Sequence, residues 1–428
     1  MSWKRPRVLV CGGSQAVVAD EAAIEPCPRR LAMSPMNRQV NVIGVGIVPF
    51  ATPRAGAKFT DLGVRAGRLA LQDAGVEYGQ IEQAFAGYVY GDSACGQRVL
   101  YQMGLTGIPV FNVNNYCATG STALYLARQA IAGGGCECAL VIGFEQMNPG
   151  ALSSIFQDRP GAIEPFVQAM TRIQGFTDAP RAAQFFGGAG REYLARYGTH
   201  PETLALIAVK ARRHAEHNPN AVFRKQVTVD EVMAAPVIFE PLTRLQCCPP
   251  TSGAAAAVLC SDGFAAAHSH RPQVRIAGQV LVTDGPSTFE SDSMIRLVGH
   301  DMTLNAARLA YEAAGIGPED IDVIELHDCF TSNELISYEA LGLAPPGEAE
   351  RLVFDGDNTY GGRYVVNPSG GLLAKGHPLG ATGVAQCVEL VSQLRGTAGT
   401  RQVEGGRFAL QHNIGLGGAC VVTIYAAI

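Results

Sequence analysis

The chain carries an approximate copy of part of itself, and that limits the folds open to it. Asp61–Ile81 (DLGVRAGRLALQDAGVEYGQI) aligns without gaps on Asp301–Ile321 (DMTLNAARLAYEAAGIGPEDI), every residue standing 240 positions from its counterpart, as Asp61 does from Asp301. Ala66/Ala306, Arg68/Arg308, Leu69/Leu309, Ala70/Ala310, Ala74/Ala314, Gly75/Gly315 and Ile81/Ile321 are identical. Apolar residues three and four apart predict an amphipathic helix in each copy, and the glycine predicts its end. An apolar β-type run follows each helix, Ala84–Tyr90 and Val323–Leu326. Farther on, Cys117-Ala118-Thr119-Gly120 opens a helical stretch leading to Ala139–Ile142. Gly376–Gly383 (GHPLGATG) opens another leading to Phe408–Gln411. The expectation is an α/β protein of two similar βαβ-containing halves, 37–270 and 271–428. The first half carries an insertion at about 145–245.

A chain of 428 residues, 47% hydrophobic and with 50 glycines, can build such a core with many tight turns. A net charge of −5 gives no basic field for nucleic acid, and no apolar run reaches the ~18 residues of a membrane span. The twelve cysteines form no pair of C-x-x-C motifs, so no zinc site is expected, and they read as free thiols in a reducing cytoplasm. Residues 1–36 read as a separate leader, disordered or preceding the true start at Met36. Arg181, Arg191, Arg196, Lys210, Arg212 and Arg213 lie in the insertion. They are either a solvated helix face or a cap over an anionic substrate.

Four residues stand where chemistry is expected. Cys117 lies in N-V-N-N-Y-C-A-T-G-S beside a helix start, whose free N–H groups favour a thiolate and can hold an oxyanion. His377, in K-G-H-P-L-G at the equivalent helix start of the second half, could take the thiol proton. His327 and Cys329, in H-D-C-F, follow a strand's carboxyl end, where open α/β sheets place their sites. Cys329 could carry protons and His327 could donate to an oxyanion; Asp328 reads as the cap of the next helix. The turn containing Gly417 and Gly418 could offer backbone N–H groups to a second oxyanion.

These segments, together with Y-G-D-S-A-C-G-Q-R at Tyr90–Arg98, D-N-T-Y-G-G at Asp357–Gly362 and N-P-S-G-G at Asn367–Gly371, resemble the sterol carrier protein x-type branch of the thiolase superfamily. Seven segments occur in the same order, from about Asn41 to the end. The resemblance implies a five-layered αβαβα fold with an inserted loop domain, and a homodimer or dimer of dimers. It implies a nucleophile at Cys117 activated by His377, with H-D-C-F in place of the N-E-A-F and late cysteine of most thiolases. Cys420 lies past that place and reads as core. Ser252 stands where relatives carry Asp. The chain ends where a sterol carrier domain would follow, so lipid transfer is not expected. The activity implied is thiolysis of a 3-oxoacyl-CoA, with coenzyme A as a substrate and no cofactor or metal. Two rivals remain: a condensing acyltransferase of ketosynthase or hydroxymethylglutaryl-CoA synthase type, and a partner-dependent acyl-CoA binding protein.

Overall fold

The computed structural model describes residues 38–148, 156, 158–268 and 272–428; the leader reading falls outside these residues. In chain order the first half runs β1 (Val40–Ile47), α1 (Phe59–Ala74), β2 (Gln83–Gly87), β3 (Val110–Val113), α2 (Thr119–Ala132) and β4 (Cys138–Glu145). Then come α3 (Glu164–Gln174), α4 (Arg181–Tyr197), α5 (Glu202–Ala215), a small hairpin of β5 (Val237–Phe239) and β6 (Leu242–Thr243), and β7 (Gly253–Ser261). The second half runs β8 (Val274–Val282), α6 (His300–Ala314), β9 (Val323–Glu325), α7 (Thr331–Ala340), β10 (Val365–Val366), α8 (Leu379–Leu394), β11 (Phe408–Gly415) and β12 (Ala419–Ala427).

The large sheet reads β10-β9-β11-β12-β8-β1-β7-β4-β2-β3. It divides into two five-stranded parts of identical order. Counted within its own half, each part reads third, second, fourth, fifth, first from its free edge inward. The parts join where β1 meets β8, antiparallel, with Asn41 opposite Arg275 and Val42 opposite Val274. The sequence repeat is therefore a repeat of topology. α1 covers one face of the first part and α6 the matching face of the second, while α2 and α8 pack on each other between the two. This is the αβαβα layering expected.

Small residues make the layers fit. A Cβ on Gly44 would lie 2.3 Å from the Ala70 carbonyl oxygen, and one on Gly278 would lie 2.6 Å from that of Ala310. Ala70 and Ala310 are partners in the repeat, so each outer helix rests directly on strand backbone at the same place. Both helices stop at a left-handed glycine, Gly75 at φ 68° and Gly315 at φ 70°. In the middle layer, a Cβ on Gly120 would lie 2.9 Å from the Gly380 oxygen. The A-T-G triplets at Ala118–Gly120 and Ala381–Gly383 thus face each other across the crossing of α2 and α8. β7 is buried along its whole length, and its run Ala254–Ala257 lets helices close on both faces.

Helices α3, α4 and α5 pack their apolar side chains, among them Phe166, Phe185, Tyr193 and Ile207, into the core of the second half. The insertion's cations are mostly used within the protein. Arg196 pairs with Glu192 and Arg191 donates to Gln174, while Arg213 donates to Thr359 and Arg212 stacks on Phe223. Lys210 is buried against the Glu334 carboxylate and Tyr338 of α7. Removing the cation strands a buried carboxylate, so Lys210→Met is expected to cost about 3–5 kcal/mol of stability in denaturant titration. Lys210→Met/Glu334→Leu should recover part of it, because neither charge then needs a partner.

Candidate active site

Three chain segments bring their side chains together at the carboxyl ends of the strands. Cys117 precedes α2, His327 follows β9, and His377 precedes α8. Their thiol and ring-nitrogen atoms all lie within 4.8 Å of one another. The two imidazoles meet edge-on, with ring centroids 5.1 Å apart at 81°. A thiol and two imidazoles at this spacing could also hold a thiophilic metal ion.

Tight turns aim these groups. Tyr116 takes a left-handed φ of 48°, a costly conformation for a bulky residue, and so turns Cys117 out of β3's path at the head of α2. Asn115 braces the turn: its N–H donates to Thr119 Oγ1 at 2.8 Å and its amide to Thr122 Oγ1 at 3.1 Å. Gly376, at φ 120°, brings the chain against Thr251, where a Cβ would come within 2.9 Å. This seats His377 beside Pro250, with which it forms a strand-like bridge.

The His377 ring has one proton-carrying nitrogen that can be named. Thr382 Oγ1 donates to the Pro378 carbonyl oxygen at 3.1 Å, so it must accept from His377 Nδ1, 2.7 Å away. Nε2 is then left as a lone pair, buried and without a hydrogen-bond partner among the described residues. That is the state a general base requires. Burial holds the ring neutral, with its pKa lowered to about 3.

The expected thiolate at Cys117 is not the resting state. Cys117 keeps some solvent contact, but burial, followed by the charge of Glu145, pushes its thiol up to about 12 and outweighs the helix N-terminus. Glu145 ends the otherwise apolar β4 and accepts from the backbone N–H of Val89, Tyr90 and Gly380 at 2.9–3.0 Å. Burial raises its pKa to about 7 despite those three donors. Sequence reading missed Glu145, although a lone acid closing an apolar strand was its signal. Glu145→Gln is expected to move the pH midpoint of Cys117 alkylation by iodoacetamide downward, because a nearby negative charge no longer opposes the thiolate. An unmoved midpoint would remove Glu145 from the electrostatics of Cys117.

Cys329 is buried, and its thiol is pushed well above its ordinary value by burial and then by Cys248, Cys117 and Asp328. It is held as a thiol, which suits a proton donor. Cys248 is a neighbour that sequence reading did not single out; its N–H donates to the Cys329 carbonyl oxygen at 2.9 Å. The capping role read for Asp328 is corrected. Its carboxylate accepts from Leu372 and Leu373 N–H at 2.7 and 3.3 Å, tying H-D-C-F to the turn before His377 instead of to α7. Ser252 Oγ accepts from Met147 N–H at 3.0 Å, so the hydroxyl does local work there. Cys420 is fully buried.

Gly417 and Gly418 form the turn between β11 and β12, both with φ above 100°. The Gly418 N–H already donates to Gly415 at 3.2 Å. Gly415 comes against the loop that leads into Cys117, where a Cβ would lie 2.2 Å from the Asn115 carbonyl oxygen. No larger residue fits there, a constraint that spacing alone did not reveal.

Residues 41–267 match the sequence model of the thiolase N-terminal domain, and residues 287–426 match that of the thiolase C-terminal domain-like family. The chain belongs to the thiolase family. It is 54% identical over 394 residues to sterol carrier protein 2 of Gallus gallus, spanning 91% of this chain and 72% of that protein. It is 35% identical to an acetyl-CoA acetyltransferase of Methanothermobacter thermautotrophicus, spanning 91% of this chain and 100% of that one. The fold also matches the solved Ltp2-ChsH2(DUF35) aldolase, with a TM-score of 0.77 at 24% identity over 91% of this chain and 98% of that one. This thiolase is accordingly an acyltransferase, and among its described residues no helix is long and apolar enough to cross a membrane.

Proposed function

We propose that this thiolase cleaves a 3-oxoacyl-CoA with free coenzyme A, in the degradation of fatty acids or sterol side chains. The observation that carries the reading is the convergence of Cys117, His327 and His377 within 4.8 Å, with the His377 Nε2 lone pair buried and unpaired.

His377 Nε2 takes the Cys117 proton as sulfur bonds to the 3-keto carbon. The two events run together, because a thiol at about 12 and an imidazole at about 3 do not form a stable ion pair beforehand. Backbone N–H groups at the Cys117 turn would hold the resulting alkoxide, the Gly418 N–H being already given to Gly415. Its collapse breaks the C2–C3 bond and leaves an acyl group on Cys117. The departing electron pair becomes the enolate of acetyl-CoA or propanoyl-CoA, its oxygen facing His327 and the now protonated His377. The Cys329 thiol protonates the enolate carbon. Its thiolate then takes the proton of incoming coenzyme A, whose sulfur attacks the acyl-Cys117 thioester. Cys117 leaves and recovers its proton from His377. The Cys117 proton returns to Cys117 through His377, while the proton that Cys329 gives to carbon leaves with the product and is replaced by the one taken from coenzyme A; no metal enters a step.

The free edge of β3, with Phe111, Tyr101 and Leu105 exposed nearby, supports pairing of two copies into a homodimer. The free thiols fit a reducing cytoplasm. The test is a panel of 3-oxoacyl-CoA thioesters, from short chains to a sterol side chain, assayed for CoA-dependent loss of substrate. Cleavage of at least one class is expected. Condensation with acyl-carrier substrates and no thiolysis would favour the condensing rival. Tight acyl-CoA binding without turnover would favour the binding protein.

A further inference from the structure

We infer that Tyr425, Gln411, Ser121 and Asn413 are positioning residues that fix which nitrogen of His327 carries its proton. All four side chains are buried, as is His327. They come from both halves, Ser121 from α2 and the others from β11 and β12. β11 pairs in parallel with β9, Gln411 beside Glu325. Two residues on, the same direction carries Asn413 abreast of His327.

The direction of the chain of hydrogen bonds follows from an atom that can only accept. Gln411 Nε2 lies 2.7 Å from the Gly383 carbonyl oxygen, so that position must be the amide nitrogen. Its Oε1 accordingly accepts from the Tyr425 hydroxyl at 2.6 Å. The second N–H of Gln411 donates to Ser121 Oγ, also at 2.7 Å. Ser121 then gives its own proton to Asn413 Oδ1 at 2.8 Å. That turns Asn413 Nδ2 toward His327 Nδ1, 2.9 Å away, and makes Nδ1 an acceptor. A neutral imidazole with Nδ1 accepting carries its proton on Nε2.

The two histidines are thus set in opposite tautomers. His377 has its proton on Nδ1 and a lone pair on Nε2. His327 has a lone pair on Nδ1 and its proton on Nε2, ready to donate before any proton has moved. This assignment deepens the proposed enolate step and rests on it. Ser121 bonds to Asn413 and Tyr425 to Gln411, so the remote three act on His327 through Asn413.

The test reads the tautomer and the chemistry separately. Nitrogen-15 spectra of ring-labelled histidine, with His327 assigned by a His327→Asn variant, should show the proton on Nε2 in the unaltered protein. Asn413→Asp puts an acceptor opposite Nδ1 and should move the proton there. Solvent deuterium exchange at the α-carbon of acetyl-CoA should then fall by about a hundredfold, the loss typical of one oxyanion donor. Ser121→Ala should lower exchange by about tenfold alone and less than about twofold in the Asn413→Asp background, because the link it supports is already broken. A His327 proton on Nδ1 in the unaltered protein, or additive losses in the double variant, would overturn the relay. A moved proton with unchanged exchange would support the relay and overturn the role given to His327. If Asn413→Asp does not fold, loss of the fixed tautomer in Ser121→Ala decides the matter, and an unchanged spectrum there overturns the relay.

Discussion

Cys117→Ala is expected to lower thiolysis by about 10⁴-fold or more, the scale on which enzymes lose activity with their covalent nucleophile. The methyl side chain cannot form a thioester. Cys329 is buried and Cys248 partly so, and each has its thiol pushed far upward by burial. The substitution removes one sulfur atom from a partly exposed side chain, so the fold should persist, which a thermal melt would verify. Retention of even a hundredth of the activity would mean that the bond to carbon forms elsewhere.

The second large effect falls on proton transfer. Cys329→Ala should lower steady-state thiolysis by about 10²–10⁴-fold, the usual contribution of a positioned acid or base. Cys117 should still be acylated by a 3-oxoacyl-CoA, more slowly, since the enolate must find its proton in solvent. Deuterium exchange at the α-carbon of acetyl-CoA should fall with turnover. A variant that keeps full thiolysis would remove Cys329 from the mechanism. One that loses acylation and exchange in equal measure would point to a structural part for Cys329 instead.

The halves and the principal side chains were legible because they leave local marks. The repeat at Asp61 and Asp301 shows in a single sequence, since each helix must rest on a strand glycine and end at another. Cys117 and His377 stand at helix starts with the same A-T-G triplet, which the crossing at Gly120 demands. What sequence hid depends on contacts between segments far apart in the chain. Glu145 looks like the end of a strand until Gly380 is seen to donate to it. Asp328 read as a local cap because its true partners, Leu372 and Leu373, lie more than forty residues away. Ser121, Gln411 and Tyr425 gave no signal, being ordinary polar residues whose meaning lies in the direction of their hydrogen bonds. The charge state of Cys117 was misjudged for a related reason. The helix start is visible in sequence, whereas the burial that opposes it is made by residues distant in sequence, Val89 and Met147 of the first half and Leu379, His327 and His377 of the second.

The most direct test is the intact mass of the unaltered protein mixed with a 3-oxoacyl-CoA and no free coenzyme A, followed by peptide mapping. The account predicts a covalent acyl adduct on the peptide carrying Cys117, equal to the substrate shortened by its terminal thioester unit, that disappears when coenzyme A is added. Substrate cleavage with no adduct, or an adduct carried by Cys329 or Cys248, would contradict it.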